Sequence, residues 1–114
     1  NADVVGSYLR NGLEGLKEKH ELVGDVRGMG LLQAIEFVKD RKTKEPASEA
    51  TNQFMEHCRK GGLLVGKGGL YGNVIRMSPP LNISKGDVDE AIRIMDQALT
   101  QMQPSMAGVS SRRD

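Results

Sequence analysis

The sequence predicts an α+β fold, a small and mostly antiparallel sheet of about four strands covered by about three helices. Three patterns with an apolar residue at every third or fourth position indicate amphipathic helices at the start, the middle and the end of the chain. Segments of β-strand character lie between these helices in pairs, whereas a parallel sheet would need strict alternation of strand and helix. These patterns leave the order of the strands open.

The first helix is predicted over 3–19, although Gly12 and Gly15 weaken it. Its apolar stripe consists of Val4, Val5, Tyr8, Leu9, Leu13 and Leu16. The residues that follow predict a β-hairpin, with strands over 22–27 and 31–38 and a tight turn over 27–30. Residues 40–46 contain five charged residues and Pro46, which indicates a solvated loop.

The second helix is predicted from Ser48 to about Lys60, where Gly61 and Gly62 end it. Its buried face should carry Ala50, Phe54, Met55 and Cys58. Residues 63–65 are predicted as a short buried strand, 66–72 as a glycine-rich surface connection with several positive φ angles, and 74–77 as a strand. The Ser-Pro-Pro run at 78–80 must end that strand, since proline cannot donate a ladder hydrogen bond.

The third helix begins at a predicted capping box, in which Ser84 is followed three residues later by Asp87. Its apolar face, Val88, Ile92, Met95 and Leu99, extends to Met102. We therefore expect one domain over 1–103 and a disordered tail over 104–114.

Composition excludes several classes of function. The 114 residues include 16 Lys and Arg against 15 Asp and Glu, a balance that argues against a nucleic-acid or membrane partner. One cysteine and two histidines cannot build a disulfide framework or a four-ligand zinc site, so no metal is predicted. No apolar run is long enough for a membrane span or a signal peptide, and we expect an intracellular, cytoplasmic protein.

The glycine-rich stretch does not form a nucleotide-binding motif. Gly61, Gly66 and Lys67 stand at P-loop spacing, but Gly68 occupies the position of the Ser or Thr that ligates magnesium. The G-x-G-x-x-G pattern fails because Tyr71 stands at its last position.

The other reactive side chains have simple structural interpretations. We expect His20 and His57 to be solvated and Cys58 to be a packed thiol. The carboxylates of Asp87, Asp89 and Glu90 crowd the start of a helix, where they complement the helix dipole.

Arg76 is the candidate functional residue. It lies within the apolar segment 74–77, directly before the prolines that end the strand. Burial of an unpaired guanidinium is costly, so Arg76 must face solvent, pair with an internal acid or bind an anionic ligand. Its planar group can form two parallel hydrogen bonds with a carboxylate, as in an amino or oxo acid.

Four segments of the sequence, taken in order, are VRGMGLL at 26–32, AIE at 34–36, GLLV at 62–65 and NVIRMSPPL at 73–81. Together they resemble the C-terminal small domain of class III pyridoxal-phosphate aminotransferases, within which the alanine–glyoxylate type is the most similar. The similarity extends over about 22–102.

This resemblance implies a homodimeric enzyme that uses pyridoxal phosphate to transfer an amino group from an amino acid to a 2-oxo acid. The Arg of the family motif R-x-x-P-P-L binds the substrate carboxylate, and Arg76 stands at that position. Arg27, Gly28 and Gly30 match a second motif, which we interpret as turn geometry.

The cofactor lysine and the other cofactor-binding residues of the family lie in a large domain that this chain lacks. We therefore expect an inactive piece of a longer protein, in the cytoplasm or, in a eukaryote, in the mitochondrion. Asn1 stands in place of an initiator Met, as expected for such a piece. The alternative is a stand-alone module in which the glycine-rich stretch and Arg76 bind an anion or a protein without catalysis.

Overall fold

A computed structural model describes residues 2–80 and 82–111, and its side chains are described over 3–80 and 82–102. The strands are β1 Val23–Met29, β2 Leu32–Asp40, β3 Glu45–Pro46, β4 Gly66–Gly68 and β5 Val74–Met77. Four of them form one antiparallel sheet in the order β1-β2-β5-β4, and the two-residue strand β3 pairs with the end of β2. The predicted α+β class with a small antiparallel sheet is confirmed.

Three helices accompany the sheet: α1 Ala2–Lys19, α2 Ser48–Lys60 and α3 Lys85–Ser111. The predicted capping box of α3 is present, because Asp87 N donates to Ser84 Oγ and Ser84 N donates to Asp87 Oδ2, both at 3.1 Å. α3 continues past the expected end at Met102. The disorder expected for 104–114 stays a prediction, and residues 112–114 lie outside the described part. Among the described helices, none combines the length and apolarity that crossing a membrane requires.

The helices cover one face of the sheet and enclose the core. Alternate strand residues, such as Val26, Ile35 and Ile75, lie opposite one another in register and are buried against the helices. Phe37 of β2 packs against Phe54 of α2 with ring centroids 4.9 Å apart, which joins the sheet to its helical layer. The opposite face of the sheet carries the alternate residues, including Arg76.

The turn of the hairpin is shorter than the sequence predicts. β1 continues to Met29, which pairs with Leu32, so that the turn consists of Gly30 and Leu31 alone. Gly30 has φ of +57°, a left-handed conformation that glycine adopts without steric cost. The turn is held by Gln33, whose Nε2 donates to Gly30 O at 2.6 Å.

The strand predicted over 63–65 is wrong. The edge strand lies instead at Gly66–Gly68, and Leu64 is 82% exposed. Gly66 pairs with Arg76, so extending this ladder would set residue 64 opposite Ser78 and residue 63 opposite Pro79. Because β5 ends before the prolines, the ladder has no partner there for 63 and 64.

Candidate functional site

Arg76 lies on the outer face of the sheet. Its neighbours in β5, Ile75 and Met77, belong to the buried core, so the alternation of side chains sends Arg76 to the opposite face. The side chain is exposed there, and Arg76 is the penultimate residue of β5. The site is therefore open to a ligand from outside the chain.

A second arginine lies on the same rung of the sheet. Arg27 of β1 pairs with Ala34 of β2, Ala34 pairs with Arg76 of β5, and Arg76 pairs with Gly66 of β4. Residues paired across antiparallel strands project to one face, so both guanidinium groups belong to the outer surface. Ala34 and Gly66 are small, which leaves the rung open around Arg76.

The two arginines differ in their partners. Arg27 Nη1 donates to Asp25 Oδ2 at 2.9 Å and to Glu36 Oε1 at 3.2 Å. These hydrogen bonds to Asp25 and Glu36 raise the pKa of Arg27 above its usual value. The acids of this face are thus occupied by Arg27.

The guanidinium of Arg76 has no hydrogen bond or ion pair with any of the residues that the structure describes. Of the three possibilities that the sequence left open, pairing with an internal acid is excluded within those residues. An exposed guanidinium with all five donors available matches what binding an incoming carboxylate requires.

A cavity of about 480 Å³ adjoins Arg76. Its walls come from the proline turn after β5, from residues 63–66 and from α1 and α3, through Leu9, Val88 and Met95. The lining is mostly apolar, and Arg76 is the charged residue in it. Leu9, Met77 and Met95 of this lining belong to the buried, helical side of the sheet, whereas the side chain of Arg76 projects from the opposite face.

Gly68 of β4 lies against the guanidinium of Arg76, a relationship that the sequence analysis missed. A Cβ atom at Gly68 would lie 2.6 Å from Cζ and 2.7 Å from Nη2 of Arg76, closer than real Cβ atoms approach other atoms. The only signal in the sequence is a glycine at alternate positions of a strand, which is typical of a close approach by another group.

The remaining candidates do not join this site. The expectation of a solvated His20 is wrong: the side chain is buried, and its Nε2 lies 2.7 Å from Asp96 Oδ1, because α3 covers the end of α1. His57 is partly buried on α2. Cys58 is packed as predicted, and burial raises the pKa of its thiol to about 12, which leaves little thiolate for nucleophilic chemistry.

The expectation of a surface connection over 66–72 is wrong for 66–68, which form the edge strand β4, and the residues that follow form a turn. Gly69 and Gly72 have φ of +85° and +63°, which confirms the expected positive φ angles. Within the described residues, no group of three or more His, Cys, Asp or Glu side chains could hold a metal ion.

Comparison with known proteins gives a family match over residues 1–99, to the model described as aminotransferase class-III. The mitochondrial alanine–glyoxylate aminotransferase 2 homolog 2 of Arabidopsis thaliana is 49% identical over 102 residues, which are 90% of this chain and 21% of the relative. The chain therefore spans about a fifth of the length of that relative.

Two solved structures have the same fold. A transaminase from the marine bacterium Virgibacillus matches with a TM-score of 0.85 and 29% identity, over 93% of this chain and 25% of its own. An amine transaminase from an uncultivated Pseudomonas species, solved in its PLP-bound form, matches with a TM-score of 0.79 and 31% identity, over 89% and 23%.

Proposed function

The chain belongs to the class-III aminotransferase family, and on this basis we propose that it is the C-terminal small domain of an enzyme that transfers an amino group from an amino acid to a 2-oxo acid. In this proposal Arg76 binds the carboxylate of the substrate. One observation carries the assignment: Arg76 is exposed and unpaired among the described residues, while Arg27 on the same rung is held by two acids.

The role of Arg76 is to anchor and orient. A guanidinium binds both oxygens of a carboxylate through two parallel N–H···O bonds, which fixes the direction of the substrate as well as its position. Holding a reactant in its productive orientation lowers the barrier to reaction without a proton or electron passing through the anchoring group.

The cofactor of this family, pyridoxal phosphate, does not fit the residues described here. A lysine amine that can form a Schiff base is needed, but no lysine lines the cavity beside Arg76. Lys67 Nζ instead donates to Asn52 Oδ1 at 2.8 Å, and Lys85 lies over the ring of Tyr8. The proposal therefore places the cofactor in the large domain of the same polypeptide, outside this chain.

Exposed apolar side chains support contact with the rest of a larger enzyme, which we take to be a homodimer. Leu70 is 89% exposed, Leu64 and Tyr71 are also exposed, and all three lie within twelve residues of Arg76 in the sequence. Such side chains gain stability when another surface covers them. The isolated chain should then associate at high concentration in analytical ultracentrifugation, and a chain that stays monomeric would count against this contact.

The test of the function uses the full-length enzyme with L-alanine as amino donor, chosen because one relative is named an alanine–glyoxylate aminotransferase, and glyoxylate as acceptor. Arg76→Ala removes two charge-assisted hydrogen bonds and should lower kcat/KM for L-alanine about 100-fold. Arg76→Lys keeps the charge without the planar fork and should lose less.

Arg93→Ala is the matched control, because Arg93 is an exposed arginine of α3 that pairs with Glu90 away from the cavity. It should leave kcat/KM within about twofold of the parent enzyme. An Arg76→Ala enzyme with unchanged kcat/KM would contradict the proposal.

An immunoblot of the source cells separates the enzyme from a stand-alone binding module. A band several times larger than the 12.4 kDa of this chain supports the enzyme, and a band at 12.4 kDa supports the module. The compartment proposed is cytoplasmic or mitochondrial, and microscopy of a fluorescently tagged full-length protein would distinguish them.

A further inference from the structure

The guanidinium of Arg76 lies across the backbone of the edge strand at Gly68. Nε, Cζ and Nη2 would all lie within 3.0 Å of a Cβ atom at this position. Three atoms of one planar group at similar distances from one point indicate that the group passes directly over the glycine. The space that a side chain would fill is thus occupied by the proposed carboxylate anchor.

We propose that Gly68 is a positioning residue for substrate binding. Because glycine has no side chain, the guanidinium of Arg76 can lie directly over Gly68, in the position from which it binds the substrate carboxylate. This inference rests on the proposed function and extends it to a second residue. Gly68 touches neither substrate nor cofactor, and it acts through Arg76.

The register of the sheet explains how a residue of β4 reaches Arg76. Gly68 pairs with Val74, and Gly66 pairs with Arg76 itself. Gly66, Gly68, Val74 and Arg76 therefore share the outer face, and Arg76 leans diagonally from its own rung to that of Gly68. A long side chain can reach such a diagonal neighbour on an adjacent strand.

The backbone of Gly68 does not itself require glycine. Gly68 is not among the glycines with positive φ, so alanine is compatible with the chain conformation. The obstacle to a Cβ atom is the far end of a flexible side chain, which can move at small cost to folding. The Gly68→Ala variant should therefore fold, and its new Cβ atom should displace the guanidinium of Arg76 from its position over residue 68.

Gly66 provides a matched control on the same strand and the same face. A Cβ atom there would meet only Arg76 O, at 3.8 Å, which is an ordinary contact. Gly66→Ala thus adds the same methyl group two residues away without touching the guanidinium. Any effect of a stiffer edge strand is common to both variants, whereas displacement of the Arg76 guanidinium is specific to Gly68→Ala.

The experiment uses the full-length enzyme and two readouts, the steady-state constants for L-alanine and the inhibition constant Ki of propanoate, a carboxylate without an amino group. Gly68→Ala should raise both the KM for L-alanine and the Ki of propanoate about tenfold, because the displaced guanidinium of Arg76 keeps only one of its two hydrogen bonds to the carboxylate. The value of kcat should change less than threefold, and Gly66→Ala should leave all three constants within about twofold.

A double-mutant cycle separates this inference from the proposed function. In an Arg76→Ala enzyme, where propanoate binds weakly, adding Gly68→Ala should change its Ki less than twofold, because Gly68 acts only through Arg76. If Arg76→Ala alone leaves Ki unchanged, the proposed function fails.

If Arg76→Ala raises Ki but Gly68→Ala does not, the positioning role of Gly68 is refuted and the proposed role of Arg76 stands. The inference is also overturned if Gly68→Ala lowers kcat by as large a factor as it raises KM, or if its three constants match those of Gly66→Ala. Thermal unfolding of each variant, with a midpoint within a few degrees of the parent, shows that the comparison is made between folded enzymes.

Discussion

His20 Nε2 donates a hydrogen bond of 2.7 Å to Asp96 Oδ1 and so joins the end of α1 to α3. His20 is only 4% exposed, and its Nδ1 is buried without a hydrogen-bond partner among the described residues. Of the two ring nitrogens, only Nε2 has a hydrogen-bond partner among the described residues, and that partner is Asp96. Lys19 Nζ binds the second oxygen of the same carboxylate at 2.8 Å.

This relationship predicts a pH dependence of stability. The hydrogen bond from His20 and, to a lesser extent, that from Lys19 hold the pKa of Asp96 below its usual value. A carboxyl with a lowered folded-state pKa stabilises the fold above its unfolded pKa of about 3.9 and loses that contribution as the pH falls through the folded value. Asp96→Asn should thus cost about 1.5 kcal/mol at pH 7 and progressively less below pH 4.

Urea unfolding at pH 7 and pH 3, followed by circular dichroism, measures both values. The control is Glu90→Gln, which removes a carboxylate from an exposed pair with Arg93 on the same helix and should leave the unfolding midpoint almost unchanged. A cost for Asp96→Asn that is equal at both pH values would contradict the linkage.

Two glycines of α1 predict opposite effects of the same substitution. A Cβ atom at Gly6 would lie 2.5 Å from Gly30 O, in the hairpin turn, whereas a Cβ atom at Gly15 would meet no atom within 4 Å apart from its chain neighbours and the backbone of its own helix. Gly6→Ala should therefore lower stability by about 1–3 kcal/mol through overpacking against backbone. Gly15→Ala should raise it by about 0.5–1 kcal/mol, because alanine favours the helix.

Thermal or urea unfolding of the two variants beside the parent chain checks this pair. If Gly6→Ala proved as stable as Gly15→Ala, the close approach of α1 to the hairpin turn would be wrong.

The sequence could predict the helices and Arg76 because their signals are local. The helical stripes repeat within a few residues, and Arg76 attracts attention inside its own apolar segment. The features that were missed depend on distant partners. His20 is buried because Asp96, 76 positions away, reaches it, and β4 forms where glycines accommodate the side chain of Arg76.

A further prediction concerns the acids beside the site. Glu36 pairs with Val74, so it stands one diagonal step from Arg76, about 7–8 Å between Cβ atoms for such neighbours. Arg27 holds Glu36 in an ion pair. Arg27→Ala should free Glu36 to compete with the substrate for Arg76, and so raise the Ki of propanoate about threefold or more in the full-length enzyme.

Adding Glu36→Gln to Arg27→Ala removes the competing charge and should restore the parent Ki. An Arg27→Ala enzyme with a raised Ki that Glu36→Gln does not reverse would show that Arg27 acts in another way.

The most direct test of the central claim is a crystal structure of the full-length enzyme with propanoate bound. The account predicts two nitrogen atoms of Arg76 at about 3 Å from the two carboxylate oxygens, with the guanidinium resting on Gly68. A carboxylate bound by other residues, with Arg76 turned to an acid of the protein, would contradict it.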